Sequence, residues 1–182
     1  HGWREEEATR KLNQFVGIPD NRVGRKIHVP KRFEGKVFGD PNAFYNSCTL
    51  DTIRGYYWST PKPAPADCEI VVHIRRGDVQ LHRGGDRRRR YMPNDWYNRV
   101  IPDVASRYPS HFKIAKDWVA DQEFDLLTAF HEMVTAKVLV MSKSGLAYTA
   151  AILNENDVFF LRNGARGQKI PLNHWTRTTW GG

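Results

Sequence analysis

The sequence predicts an α/β fold with a parallel sheet, and two observations support this prediction. Short apolar runs, mostly of β-branched residues, recur as candidate strands at 70–74, 138–141 and 157–161. Segments with apolar residues at helical spacing lie between them, at 94–106 and 121–136. Strands that alternate with helices in this way are typical of a parallel sheet covered by helices on both faces.

The residues before this pattern, 1–65, differ from it in composition. A short charged helix is predicted over 4–15, followed by a basic stretch in which Gly, Pro and Asn indicate weak order. Residues 36–60 contain several large aromatic side chains among turn-forming residues, which predicts an irregular segment that these side chains pack against the main domain. The prolines of 61–65 predict an extended linker and place a domain boundary just before the first strand.

Residues 66–161 contain the predicted sheet. The strand at 70–74 is followed by a helix at 94–106, which Pro102 is expected to kink or interrupt because it lacks a backbone N–H. A short strand at 111–114 comes next and continues the alternation.

The second half of this region has the same pattern. A helix over 121–136, with apolar residues at helical spacing, precedes a buried strand at 138–141. A helix of small residues at 145–154 then leads into the strand at 157–161. The remaining residues, 162–182, are polar and rich in Gly, Asn and Thr, which predicts a surface tail pinned by tryptophans.

The charge of the chain indicates anionic partners. Its formal net charge is +8, from 28 Lys and Arg residues against 20 Asp and Glu, and consecutive arginines at 87–90 concentrate part of the excess. A nucleotide sugar and a nucleic acid both satisfy this requirement, so charge alone does not choose between them. The run at 87–90 is interpreted as a solvated basic loop, which would also steer an anionic ligand if it lay next to a phosphate site.

Other features bear on the setting of the protein. No apolar run approaches the roughly 18 residues that a membrane helix needs, so no transmembrane segment is expected in this chain. The chain starts at His1 rather than at Met, which we interpret as a processed or trimmed piece. The two cysteines, Cys48 and Cys68, are equally compatible with a disulfide and with two buried thiols.

The strand at 70–74 ends in a polar turn of sequence HIRRGD, from His73 to Asp78. Arg75 and Arg76 in this turn stay cationic at any working pH, and a planar guanidinium can hold two phosphate oxygens at once. The carboxyl end of a central strand is also where open α/β sheets bind anionic ligands. One alternative is a solvated basic turn. The other is an Arg-Gly-Asp adhesion tripeptide, and we discount the tripeptide because it directly follows a buried strand.

A second polar turn follows the strand at 138–141. It contains Ser142, Ser144 and Gly145 and leads into a helix of small residues. The N-terminus of a helix presents free backbone amides and the positive end of the helix dipole, and serine hydroxyls would add to them, so this turn can hold a phosphate. The alternative is ordinary N-capping of the helix by Ser142 or Ser144.

Several common binding motifs are missing from the sequence. It contains neither a GxGxxG nor a GxxxxGK[ST] run, which argues against dehydrogenase and P-loop chemistry. His111, His131 and Glu132 do not have the spacing of metal ligands, and no cysteine pairs for zinc are present. We therefore expect neither a metal nor a cofactor.

In this order, the two motifs resemble the signatures of the α1,2-/α1,6-fucosyltransferase and protein O-fucosyltransferase superfamily. In that family a strand ends in His-x-Arg-Arg-Gly/Thr-Asp, and a later strand ends in a hydroxyl-rich turn before a small-residue helix. The resemblance covers residues 66–161 and is closest to the α1,2-type branch. It implies that 66–161 form a Rossmann-like nucleotide-sugar-binding domain, like the donor domain of a GT-B glycosyltransferase, and that 1–65 are an extension or a partial acceptor-side lobe.

The resemblance also implies roles for individual residues. Arg75 is similar to the arginine that binds the β-phosphate of the nucleotide in that family, and His73 and Arg76 to its neighbours in the donor pocket. Asp78 resembles the residue that holds the turn, and with Arg75 it is our candidate for catalysis. Asp125 resembles in placement an acidic residue that contacts the guanine. Asp78 and Asp125 are also the nearest candidates for a general base.

The second motif has both a likeness to the family and a departure from it. Ser142 and Ser144 resemble the hydroxyls on the phosphate and ribose side of the donor. Gly145 stands where many members of the family have a second hydroxyl or a small polar residue. The two motifs are also closer together in this chain than in the family.

The resemblance predicts an inverting, metal-independent fucosyltransferase that transfers fucose from GDP-fucose to a glycan or glycoprotein acceptor. If such an enzyme is eukaryotic and active, it belongs in the secretory pathway, in the Golgi lumen. The first alternative is a catalytically inactive module that binds ligands or assembles with other subunits, which Gly145 and the short spacing favour. The second alternative is a basic nucleic-acid-binding domain. The aromatic residues do not interleave with the basic run, which argues against this alternative, so no nucleic-acid partner is expected.

Overall fold

The chain forms two compact units, one of residues 1–64 with 169–172 and the other of residues 65–168 with 173–182. A computed structural model describes nine stretches of it: residues 10–11, 14–17, 43, 45–65, 67–76, 91–109, 114–115, 126–161 and 175–178.

In the described part of the smaller unit, the long helix α1 spans Ser47–Trp58. The side chain of Asn46 starts it by accepting a hydrogen bond of 3.0 Å from the backbone N–H of Thr49, which satisfies an amide that has no partner inside the helix. Leu50 and Tyr57 are two turns apart on the buried side of the helix. The irregular segment predicted for 36–60 is therefore wrong over 47–58, because the cap and this apolar stripe favour a helix.

Lys62 ties the predicted linker to the smaller unit. Its ammonium donates hydrogen bonds to the carbonyl oxygens of Phe15 and Thr60, at 2.7 and 3.0 Å. It also lies over the rings of Phe15 and Tyr57, at 4.7 and 4.4 Å from their centroids. The start of this linker is thus held by specific contacts as well as by its prolines.

The larger unit is an α/β unit with a parallel sheet, as predicted. Among the described residues the sheet has five strands in the order β2-β1-β3-β4-β5, and all four neighbouring pairs are parallel. The strands are β1 (Ile70–Val72), β2 (Ile114–Ala115), β3 (Val138–Val140), β4 (Asp157–Leu161) and β5 (Trp175–Thr178). The helices are α2 (Asn94–Ala105), α3 (Leu126–Thr135) and α4 (Gly145–Leu153).

Both faces of the sheet are covered, which explains why its central strands are apolar throughout. Ile70 and Val138 pack on one face with Trp96 of α2 in a continuous buried cluster. Val71 and Leu139, which point to the other face, are also fully buried. Strands buried on both faces lose the alternation of polar and apolar residues, so they appear in the sequence as unbroken apolar runs.

Pro102 lies inside α2, and the helix continues through it to Ala105. A proline at this position leaves the carbonyl of Asn98 without its helical donor. Asn98 and Pro102 are both exposed, so water can satisfy that carbonyl. The expected interruption of the helix is therefore not observed.

The end of the chain differs from the predicted surface tail. Residues 175–178 form β5, which pairs in parallel with β4. Trp175 is buried against the rings of Tyr148 and Phe160, with centroid distances of 5.7 and 6.3 Å. The hydroxyl of Thr178 donates to the carbonyl of Phe160 at 3.0 Å. These contacts make part of the expected tail an element of the sheet.

A buried asparagine joins the ends of two helices in the larger unit. Asn154 is completely buried, and its side-chain amide donates to the carbonyls of Met133 and Ala136, both at 2.9 Å. Its side-chain oxygen accepts a hydrogen bond of 2.6 Å from the backbone N–H of Asn156. Asn154 therefore satisfies carbonyls at the end of α3 that have no partner inside that helix.

Two further expectations concern the setting of the protein. None of the helices in the described part of the chain is long and apolar enough to cross a membrane. Cys48 is exposed and Cys68 is half-buried, and both are free cysteines. Of the two alternatives for the cysteines, free thiols are therefore observed, although the Cys48 thiol is not buried.

Candidate functional site

The direction of the strand order reverses between β1 and β3. β2 lies on one side of β1, whereas β3, β4 and β5 lie on the other. Chain segments that leave the carboxyl ends of β1 and β3 therefore run to opposite sides of the sheet. In open α/β sheets this divergence opens a crevice, which is the usual position of the bound ligand. Residues 73–76 of the first polar turn and residues 142–145 of the second lie at this position.

His73 and Ser142 bring the two turns into direct contact. The backbone N–H of His73 donates to the carbonyl of Val140 at 2.9 Å and so extends the β1–β3 ladder by one residue. The Nδ1 atom of His73 then lies 2.7 Å from the hydroxyl oxygen of Ser142. Both side chains are buried, with 6% and 2% of their surfaces exposed. A parallel sheet places the carboxyl ends of its strands on one edge and so brings the two turns together, but the sequence did not predict this contact.

The imidazole of His73 is neutral at neutral pH. Burial is the main cause and the nearby Arg75 cation the second, and together they lower the pKa of His73 from 6.5 to about 4. In a neutral ring, Nδ1 either accepts a hydrogen bond from the hydroxyl of Ser142 or donates one to it, depending on the tautomer. His73 therefore contributes a fixed hydrogen bond, rather than a positive charge, to the edge of the sheet.

Arg75 and Arg76 are adjacent, and the contacts of Arg76 join two parts of the larger unit. Both are half-buried in the turn after β1. The Nη1 atom of Arg76 donates to the carbonyls of Arg75 and Met92, at 2.9 and 3.1 Å. Its Nη2 atom donates to the side-chain oxygen of Asn94, the first residue of α2. Arg76 thus links the turn after β1 to the start of α2.

Two tyrosines complete the surroundings of Arg76. Its guanidinium carbon lies 4.8 Å from the centroid of the Tyr91 ring and 5.6 Å from that of Tyr97. The hydroxyl of Tyr97 donates weakly, at 3.4 Å, to the carbonyl of His73. Burial raises the pKa of Tyr97 to about 12, so its hydroxyl keeps its proton at neutral pH. Neither Tyr91 nor Tyr97 was predicted to lie at the site, although both are in the aromatic stretch just after the basic run.

Ser144 occupies the N-cap position of α4 but does not cap the helix with its side chain. It is 7% exposed, and no side-chain cap hydrogen bond is present. Its backbone N–H donates to the carbonyl of Ser142 at 2.8 Å, which closes a tight turn. The ordinary N-capping that we considered as an alternative is therefore not observed at α4. The dipole and the first amides of this helix remain suited to an anion.

Gly145 and Lys143 add to this turn. Gly145 is exposed, and a Cβ atom placed on it would meet nothing within 4 Å, so the position has room for a side chain. Lys143 is half-buried, and burial lowers the pKa of its ammonium group. Lys143 was not predicted as a site residue, although a lysine between two serines at the end of a strand is a visible signal.

Some predicted site residues lie outside the described part of the chain. They are Asp78, Asp125, and the arginines at 87–90. Their roles in catalysis, guanine contact and steering remain predictions. Within the described ranges, no group of three His, Cys, Asp or Glu side chains is arranged to hold a metal ion.

Comparisons of the chain with protein-family models, with curated proteins and with solved structures give no match. The case for a function therefore depends on the geometry of this sheet edge and on the two motifs that meet there.

Proposed function

We propose that this edge of the sheet binds the diphosphate of a nucleotide sugar, and that the protein is an inverting, metal-independent fucosyltransferase that uses GDP-fucose. The observation that supports this best is the 2.7 Å contact between His73 and Ser142. It joins the HIRRGD turn to the serine-rich turn at the point where the strand order reverses. Resemblance of both turns to one family of fucosyltransferases supports the choice of donor.

The groups at this edge match the charge of a diphosphate. Arg75 supplies a permanent cation with a planar fork, and Lys143 lies in the opposite turn. The first amides of α4 and the hydroxyl of Ser144 supply neutral hydrogen-bond donors. A diphosphate between the two turns would therefore have donors on two sides.

The same groups suit the departure of GDP. As the bond between fucose and the β-phosphate breaks, negative charge grows on the phosphate oxygens. Donors that are already oriented stabilise that charge without reorganising. Arg75 and the N-terminus of α4 thus supply the positive charge that a divalent cation supplies in other transferases. The acceptor hydroxyl attacks from the opposite face of the sugar, which inverts the anomeric centre, and its proton passes to a base that we do not assign.

A Rossmann-like domain of the GT-B type is the architecture that we propose for residues 66–161. The parallel sheet, with its ligand-binding edge at the strand reversal, is compatible with such a donor domain. Residues 1–65 would then be an extension or part of an acceptor-side lobe.

A second candidate is a protein that binds the nucleotide but does not transfer the sugar. The open space at Gly145 favours it, because a hydroxyl that many fucosyltransferases have at this position is missing here. This candidate shares the binding site of the first and differs only in turnover.

Titration calorimetry with GDP, GDP-fucose, UDP and ADP tests both candidates. We expect GDP and GDP-fucose to bind more tightly than UDP and ADP, and Arg75→Lys to weaken GDP binding. Release of GDP in the presence of a glycan acceptor supports the transferase, and binding without release supports the second candidate. Equal affinity for all four nucleotides, or tighter binding of an RNA or DNA oligonucleotide, would contradict the proposal.

A further inference from the structure

Arg76 is surrounded by protein groups that use its hydrogen-bonding capacity. Its Nη1 atom has two hydrogens and donates to two carbonyls, those of Arg75 and Met92. Its Nη2 atom donates to Asn94, and the planar group lies near the rings of two tyrosines, Tyr91 and Tyr97. A guanidinium has five N–H donors in a fixed fork, so this arrangement commits a large part of it to the protein.

The contacts of Arg76 connect two pieces of chain that lie apart in the sequence. The carbonyl of Arg75 belongs to the turn after β1, Met92 lies before α2, and Asn94 is the first residue of that helix. An arginine that bridges acceptors in the turn after β1 and at the start of α2 limits how far these two segments can move apart. The bond to the carbonyl of Arg75 also restricts the backbone from which the Arg75 side chain projects.

We propose that the two adjacent arginines have different roles, and that Arg76 is a positioning residue that holds Arg75 in the orientation needed to bind an anionic phosphate group. The inference rests on the proposed function in one respect, since it takes the phosphate as the ligand of Arg75. It departs from the expectation that both arginines line the donor pocket as ligands. Lysine cannot replace Arg76 in this role, because a single ammonium cannot reach the same acceptors in a plane.

A double-mutant cycle separates positioning from direct binding. The probe is GDP, titrated into the full chain carrying Arg75→Lys, Arg76→Lys or both substitutions. Arg76→Lys alone should weaken GDP binding about tenfold, by analogy with other residues that orient a ligand-binding side chain. If Arg76 acts only through Arg75, the same substitution in the Arg75→Lys background should change the affinity by less than about twofold. A full tenfold loss in that background as well would mean that Arg76 contacts GDP itself, and would overturn the inference.

Hydrogen exchange of the ligand-free protein gives a test that does not need GDP. In Arg76→Lys, peptides covering 70–76 and 91–98 should exchange at least about threefold faster, while those covering 138–153 keep the wild-type rate. Arg99→Lys is the matched control, because Arg99 is an exposed arginine on α2 whose Nε atom donates to the carbonyl of Asp95 within the same helix. It should leave both exchange and GDP affinity unchanged.

Asn94→Ala keeps the inference testable if Arg76→Lys fails to fold. Asn94 is exposed, and the substitution removes one acceptor of Arg76 without altering the arginine. It should accelerate exchange in the same two peptides and weaken GDP binding in the same direction. Unchanged exchange in every foldable variant would overturn the inference. If the wild-type protein does not bind GDP, the proposed function is wrong, and the exchange data alone then decide whether Arg76 holds the turn.

Discussion

Acidification should destabilise this protein through His73. Its pKa is 6.5 in an ordinary environment and about 4 in the folded protein, because burial and then Arg75 disfavour the charged imidazole. As the pH falls through 6.5, the unfolded chain therefore takes up a proton that the folded protein does not. The unfolded state binds more protons in this window, so the free energy of unfolding must decrease as the pH decreases. Above the window the imidazole is neutral in both states and contributes no pH dependence.

The size of this effect follows from the difference between the two pKa values. A fall from 6.5 to about 4, at about 1.4 kcal/mol per pH unit, corresponds to about 3 kcal/mol. The loss begins near the pKa of the unfolded chain and is complete once the pH is below the pKa of the folded protein. A loss of this size is a large part of the roughly 5–15 kcal/mol that keeps a typical domain folded.

Urea unfolding of the wild type and of His73→Asn at a series of pH values measures the effect. Asparagine places a polar atom near the position of Nδ1 but does not titrate in this range. The free energy of unfolding of the wild type, relative to that of His73→Asn, should therefore decrease by about 3 kcal/mol between about pH 7 and about pH 4. Ser142→Ala is the control, since it removes the hydroxyl that contacts Nδ1 and keeps the buried imidazole, and it should retain most of the pH dependence. If the wild type and His73→Asn lose stability in parallel, His73 is not the responsible group.

Further predictions concern the site and the stability of each unit. Arg75→Lys keeps the charge but loses the planar fork of the guanidinium, so kcat of GDP-fucose transfer should fall on the order of 100-fold with the melting temperature unchanged. Transfer by the wild-type protein should persist in EDTA. Gly17 has a φ of 78°, and a Cβ there would collide with a backbone carbonyl, so Gly17→Ala should destabilise the smaller unit by more than about 1 kcal/mol. Gly55→Ala, in open space on α1, should stabilise it by about 1 kcal/mol. Asn154→Ala should cost about 2–4 kcal/mol in urea unfolding, and Asn156→Ala, at an exposed residue, under about 1 kcal/mol.

Each of these predictions has an outcome that contradicts it. An Arg75→Lys protein that is fully active would mean that another group binds the phosphate, and one that is unfolded would mean a structural arginine. Activity lost in EDTA and restored by magnesium or manganese would show that a metal is needed. Equal effects of the two glycine substitutions would contradict the close approach at Gly17, and equal effects of the two asparagine substitutions would contradict the buried role of Asn154.

The sheet could be predicted because its signal is local and strong. Strands buried on both faces need an unbroken run of apolar residues, and 138–140 and 157–161 contain such runs. The ends of parallel strands share an edge, so the order of the motifs was enough to place the two turns on the same side. β5 was missed because Trp175 and its neighbours form a short polar segment, whose pairing with β4 depends on contacts with Tyr148 and Phe160 that lie far away in the sequence.

The internal connections of the site could not be predicted from the motifs. The contact between His73 and Ser142 depends on the register of β1 against β3, in which Val72 pairs with Val140. A shift of one residue would turn His73 to the other face of the sheet. The anchoring of Arg76 likewise depends on how α2 packs, since two of its three acceptors lie 16 and 18 residues further along the chain. A motif specifies which groups are present, whereas packing decides which of them remain available to a ligand.

The buried pair of His73 and Ser142 favours a functional reason for the geometry of this edge. A buried polar pair must satisfy its hydrogen bonds, and two apolar side chains of similar volume would pack there without that requirement. The histidine also makes the fold sensitive to acid, by the linkage worked out above. Neither property helps a site whose only task is to stabilise the sheet. The hydrogen bond between His73 and Ser142 is understandable if it holds the two turns at a fixed separation, as the proposed phosphate site would need, because donors for an anion must be oriented in advance.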